Sequence, residues 1–140
     1  MDFQIRKAYP DGDDPRILLV DDNDVGIQTL AMLLELQGFA VTLASTGAQA
    51  IALFKERAPA IIILDIGLPD IDGYSVAAAI RESGQGKQPL IVAVTGWGGE
   101  RDRERARRAG CDMHLTKPVN FDELEQILLS HRAPEGTERR

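Results

Sequence analysis

The chain has 140 residues, 44% hydrophobic and 27% charged, with 22 acidic against 16 basic side chains and a formal charge of −6. That length suits one compact domain, the composition excludes wholesale disorder and fibrous repeats, and the acidic balance argues against nucleic acid as a main partner. Every apolar run falls short of the roughly 18 residues that cross a bilayer, and the N-terminal MDFQIRKAYPDGDD is too polar for a signal peptide, so a cytoplasmic protein with no membrane contact is expected.

Short aliphatic runs alternate with longer segments of helical period. In chain order the reading is strand Ile17–Val20, helix Asp24–Gln37, strand Ala40–Leu43, helix Gly47–Lys55, strand Ile61–Leu64 and helix Tyr74–Glu82. Strand Leu90–Val94, helix Glu100–Ala109, strand Met113–Leu115 and helix Phe121–Leu129 follow. Gly38 stands where a left-handed residue closes a helix, Pro59 ends the second helical segment, and Asn120 with Glu123 has capping-box spacing. Ser83–Gln88, SGQGKQ, reads as a mobile loop. Several strands are continuously apolar, the pattern of a parallel sheet covered on both faces. The expected architecture is therefore a doubly wound α/β domain, a five-stranded parallel sheet in an α/β/α sandwich, over residues 16–130. Residues 1–15 and 131–140 read as tails. The single cysteine, Cys111, can form no internal disulfide and reads as a small buried hydrophobe.

Open α/β sheets bind ligands beyond the carboxyl ends of their strands. Asp21 and Asp22 follow the first strand, Asp65 the third, Thr95 the fourth, and Thr116, Lys117 and Pro118 the fifth. Clustered carboxylates repel one another unless a cation neutralises them, and hard oxygen donors with water suit Mg²⁺. Lys117 and Thr95 are natural companions for phosphoryl oxygens. A carboxylate can itself be the nucleophile that forms an aspartyl-phosphate. Asp65, after the central strand, is the candidate for that role, with Asp21 and Asp22 as metal binders. Asp21 and Asp22 also suit the N-terminus of the first helix as dipole-complementing acids, a reading that leaves Asp65, Thr95 and Lys117 unexplained.

VDDND after the first strand, LDIGLPDIDGY around Asp65, VTG at Thr95 and TKPV at Lys117 together resemble the receiver domain of two-component response regulators. The resemblance implies a flavodoxin-like sheet of order 2-1-3-4-5. It implies that Asp65 is the phosphoacceptor, that Asp22 binds Mg²⁺ directly and Asp21 through water, and that the Gly67 backbone carbonyl is a further ligand. It makes Thr95 the switch hydroxyl, Lys117 its phosphoryl-contacting partner, and Lys117–Pro118 a cis-proline candidate, with Pro69 and Gly73 shaping the acceptor loop. One position departs from the family: three residues before the lysine, where Tyr or Phe is usual, stands His114, smaller and titratable near neutrality. Trp97 is a candidate either for covering the phosphorylated site or for surface packing.

The function implied is a phosphorylation-controlled switch that receives a phosphoryl group from a histidine kinase or histidine phosphotransfer protein. It responds through the surface near the fourth and fifth helices, where receivers dock partners or dimerise. Gly99–Arg108 carries five arginines against three acids, a solvated face by default and a docking face by function. With ten residues after residue 130, the signal is expected to leave through protein contacts. TGWG and AGCDMHLTKPV are similar to receivers of hybrid histidine kinases, so a phosphorelay segment of such a kinase stays open. An aspartyl-phosphate phosphohydrolase is disfavoured because Gly67 stands where the DxD signature needs a second acid. A nucleotide-binding flavodoxin-like module is disfavoured because no Gly-rich loop follows the first strand.

Overall fold

The computed structural model describes residues 16–83, 88–96 and 99–130. The two tails, most of the Ser83–Gln88 loop, and Trp97 lie outside the described residues. The elements are β1 (Arg16–Val20), α1 (Asp24–Leu36), β2 (Ala40–Ala44), α2 (Gly47–Arg57) and β3 (Ile61–Asp65). They continue with α3 (Gly73–Ser83), β4 (Leu90–Thr95), α4 (Glu100–Ala109), β5 (Met113–Thr116) and α5 (Phe121–Ser130).

All four strand pairings are parallel and the sheet order is β2-β1-β3-β4-β5. Alternate strand residues point to opposite faces, so Ile17 and Leu19 join one apolar layer while Leu18 and Val20 join the other. The first layer packs under α1 and α5 through Ile27, Leu34, Leu124 and Leu128. The second packs under α2, α3 and α4 and is built partly from small residues, among them Ala50, Ala77 and Ala106. β1, β3 and β4 are buried on both faces, which explains their unbroken apolar sequences. β2 and β5 are the sheet edges, and Leu43 and Met113 there are about 40% exposed.

Local chemistry sets most boundaries. Asn23 Oδ1 accepts the Gly26 amide at 3.2 Å and Thr46 Oγ1 the Gln49 amide at 3.1 Å, starting α1 and α2. Asn120 Oδ1 accepts the Glu123 amide at 3.1 Å at the head of α5. α1 ends at Leu36, one residue before the expected Gln37, which is its C-cap, and Gly38 follows at φ 101°. α2 runs to Arg57 instead of Lys55 and closes at Ala58, which lies in the left-handed region at φ 47° and whose amide donates to the Phe54 carbonyl. α3 starts at Gly73, one residue earlier than expected. Asp65, Thr95 and Thr116 prove to be the last residues of their strands rather than the first after them. The pairings Leu64↔Ala93, Asp65↔Val94 and Thr95↔Thr116 carry the ladder that far.

Candidate phosphoryl-acceptor site

The chain leaves β1 toward β2 on one side of the sheet and returns to β3 on the other, so the crevice at this reversal lies between the ends of β1 and β3. Asp21 and Asp22 leave the first of these ends; the Asp21 amide is held by the Ala44 carbonyl at 3.0 Å. Asp65 closes the second and is 3% exposed. One carboxylate oxygen from each of the three lies within 4.8 Å of the others. Lys117 Nζ stands 3.1 Å from Asp65 Oδ1, reaching in from an exposed position beyond β5. The Gly67 amide donates to the same Oδ1 at 3.1 Å. Thr95, 6% exposed, ends β4, and its carbonyl accepts the Lys117 amide at 2.8 Å. The Lys117–Pro118 peptide is cis.

Three acids and one ammonium leave this edge short of positive charge. Burial pushes the Asp21 carboxyl above its usual range, and the nearby Asp65 charge adds to the effect against the Asn23 amide and Lys117. The donor set, three convergent carboxylates beside the exposed backbone of Gly67, fits a hard divalent cation of Mg²⁺ type.

His114 and Thr95 share a face of the sheet, since Ala93 pairs with His114 and Thr95 with Thr116. It is the face of Ala93, against which Ala106 of α4 packs. The His114 Nε2 is buried and finds no hydrogen-bond partner among the described residues. Burial, then the Arg103 charge, lowers its pKa, with Asp102 opposing. On α4, Arg105 lies over the Tyr74 ring at 4.4 Å, and Glu104 pairs with both Arg107 and Arg108, so much of the arginine cluster is engaged within the domain. Cys111 is buried behind this helix at 6% exposure, and burial raises its thiol pKa to about 11.

One residue of the loop after Asp65 makes contacts that carry no sequence signal. Asp70 Oδ1 and Oδ2 accept the amides of Gly47 and Ala48 at 2.8 and 3.0 Å. Its partners lie more than twenty positions earlier, and no local spacing marks the pair.

The fold and this edge define a flavodoxin-like α/β domain with an acidic, lysine-flanked switch point. Residues 17–129 match the response regulator receiver domain model, and the chain belongs to that family, whose members are two-component signalling switches. It is 35% identical over 113 residues to an uncharacterized 14.6 kDa protein of Leptolyngbya boryana, covering 81% of this chain and 85% of that one. A CheY-like receiver domain structure from Methanospirillum hungatei JF-1 superposes with a TM-score of 0.78 at 29% identity, covering 88% of this chain and 99% of that one. The receiver domain of Saccharomyces cerevisiae Ssk1, crystallised with the histidine phosphotransfer protein Ypd1, superposes at 0.77 with 29% identity over 82% of this chain and 86% of that one.

Proposed function

We propose that the chain is a phosphorylation-controlled switch in which Asp65 accepts a phosphoryl group from the phosphohistidine of a kinase or phosphotransfer protein. The observation that carries this reading is the meeting of a buried Asp65 carboxylate, Lys117 at 3.1 Å, and the carboxylates of Asp21 and Asp22. An Asp65 oxygen attacks phosphorus, the P–N bond to the donor imidazole breaks, and the electron pair stays on that nitrogen, which then takes a proton. Asp21, Asp22, Asp65 and the Gly67 carbonyl would hold Mg²⁺, which when bound offsets the charge of the carboxylates and of the transferring oxygens. Lys117 and the Thr95 hydroxyl bind phosphoryl oxygens in the product. Hydrolysis of the aspartyl-phosphate returns the switch to rest, so the chain turns over its own phosphate and no separate substrate.

Two surfaces suit input and output. α1 starts directly after the acidic pair and exposes Val25, Met32 and Leu36 at 79%, 60% and 61%, an apolar stripe suited to docking the phosphodonor. The Ssk1 receiver's complex with Ypd1 supports a phosphotransfer protein as the partner class. α4 has Ala106 as its buried residue, so its position responds to small forces from Thr95 and His114, and the α4–α5 surface carries the output. The test is mass spectrometry after incubation with Mg²⁺ and acetyl phosphate. One phosphoryl mass is gained by the wild type and not by Asp65→Asn; an equal gain in the variant refutes the assignment.

A further inference from the structure

The acceptor loop, residues 66–72, links the end of β3 to the start of α3 and carries Gly67, whose amide bonds the Asp65 carboxylate. Both ends are fixed by backbone. The Ile66 amide donates to the Val94 carbonyl at 3.0 Å, and the Gly73 amide donates to the Ile66 carbonyl at 2.9 Å. Between these ends the Gly67 peptide is held by the bond from its amide to Asp65 Oδ1 at 3.1 Å. It is exposed, has no side chain to pack, and among the described residues a Cβ placed there would meet only Asp65 Oδ1, at 3.9 Å.

Asp70 adds a second restraint, from outside the loop. Its two oxygens accept the Gly47 and Ala48 amides at 2.8 and 3.0 Å, two of the amides that the start of α2 cannot satisfy within the helix. These bonds hold the Asp70 carboxyl below the usual carboxylate range, so it is an anion at the positive end of the helix at neutral pH. α2 already has a local cap in Thr46, whose hydroxyl takes the Gln49 amide. The distinctive consequence of the Asp70 bonds is therefore for the loop. The packing beside them is tight: a Cβ on Gly47 would lie 2.9 Å from Val76 Cγ2 and 3.0 Å from Ile71 Cβ. Loop and helix start thus meet as one unit.

We propose that Asp70 is a positioning residue for phosphoryl acceptance: by fastening the acceptor loop to the first amides of α2, it holds the Gly67 peptide in place against Asp65. The proposal rests on Asp65 being the acceptor. Asp70 touches neither metal nor phosphoryl group; it acts through Gly67, whose amide holds Asp65 Oδ1 at 3.1 Å and whose carbonyl belongs to the metal-binding set. Residues that hydrogen-bond a metal ligand directly typically change metal affinity by about 10–100-fold when removed, and Asp70, one step further out, is expected at the low end of that range.

The experiment compares Asp70→Ala, Asp70→Asn and Thr46→Ala in the full chain. It reads the Gly67 amide resonance, the Mg²⁺ dissociation constant from the same NMR titration, the rate of phosphorylation by acetyl phosphate, and Tm. Asp70→Ala is expected to displace the Gly67 resonance, weaken Mg²⁺ binding about tenfold and slow phosphorylation about tenfold. Asp70→Asn, which keeps one acceptor oxygen, falls between it and the wild type. Thr46→Ala lowers Tm by loosening the same helix start but leaves Gly67 and Mg²⁺ affinity at wild-type values. Equal Mg²⁺ effects from Thr46→Ala and Asp70→Ala would reduce Asp70 to a helix cap and overturn the proposal. An Asp70→Asn variant that matches Asp70→Ala in Mg²⁺ affinity while Gly67 stays unmoved would show an effect of charge alone and overturn it equally. The Gly67 and Mg²⁺ readouts do not need phosphate transfer, so they judge the tether separately from the mass assay on Asp65.

Discussion

Gly73→Ala and Gly26→Ala place the same added methyl in two helices, and the structure gives the two changes opposite signs. Both residues lie in the first turn of a helix, where alanine is favoured over glycine by up to about 1 kcal/mol. At Gly26 a Cβ would meet the Asn23 side chain at 3.8 Å, an ordinary contact, so the propensity gain survives and Gly26→Ala is expected to stabilise by about 0.5 kcal/mol. At Gly73 it would lie 2.6 Å from Ile66 Cα and 2.7 Å from the Asp65 carbonyl oxygen. These are backbone atoms next to a buried strand, and relief needs a shift of roughly 0.8 Å, the gap to ordinary van der Waals contact. Overpacking of that kind costs about 1–3 kcal/mol or more, which exceeds the propensity gain. With about 0.5 kcal/mol of propensity gain set against it, the net loss of about 0.5–2.5 kcal/mol corresponds, for a domain of this size, to a Tm drop of about 2–10 °C. Thermal unfolding followed by circular dichroism measures both variants against the wild type. Because the displaced atoms belong to Asp65 and its neighbour, Gly73→Ala should also slow phosphorylation by acetyl phosphate. A Gly73→Ala protein as stable as the wild type would refute the claim that close approach of α3 to the acceptor backbone requires glycine there.

Two further outcomes follow from the titratable groups. Because burial and Arg103 lower the His114 pKa, the folded chain takes up this proton less readily than the unfolded chain. The stability His114 lends is complete above its ordinary value of 6.5 and is lost as pH falls through the lower folded value. His114→Phe should therefore gain Tm relative to the wild type between about pH 7 and pH 5, and parallel Tm–pH curves for the two proteins would refute this. The Cys111 thiol, pushed up to about 11 by burial, should resist Ellman's reagent at pH 8 until denaturant opens the domain. Stoichiometric labelling of the native protein within seconds would contradict that burial.

The strand sequences were legible because the central strands have no solvated face: IIIL and LIVAV can lie only where helices cover both sides. The site residues were legible for a related reason, since each stands at the carboxyl end of its strand. A parallel sheet brings those ends to one edge whatever the helices between them do. Arg81 marks where that legibility stops. Its guanidinium bonds Asp112 at 2.8 Å and the carbonyls of Gly110 and Pro89, tying the end of α3 to the approaches of β4 and β5. In sequence it is one more polar residue of an amphipathic helix.

The sequence by itself determined the alternation of strands and helices, the sheet edge on which Asp21, Asp22, Asp65, Thr95 and Lys117 gather, and the family they resemble. These depend on periodicity and on order along the chain, both of which are local. Only the tertiary structure decided that Asp70 fastens the acceptor loop to Gly47 and Ala48, that Gly73 admits no Cβ against Ile66, and that His114 buries a nitrogen without a partner among the described residues. Each of these joins segments distant in sequence through packing distances of a few ångströms, and such distances exist only once both layers of the core have closed on the sheet.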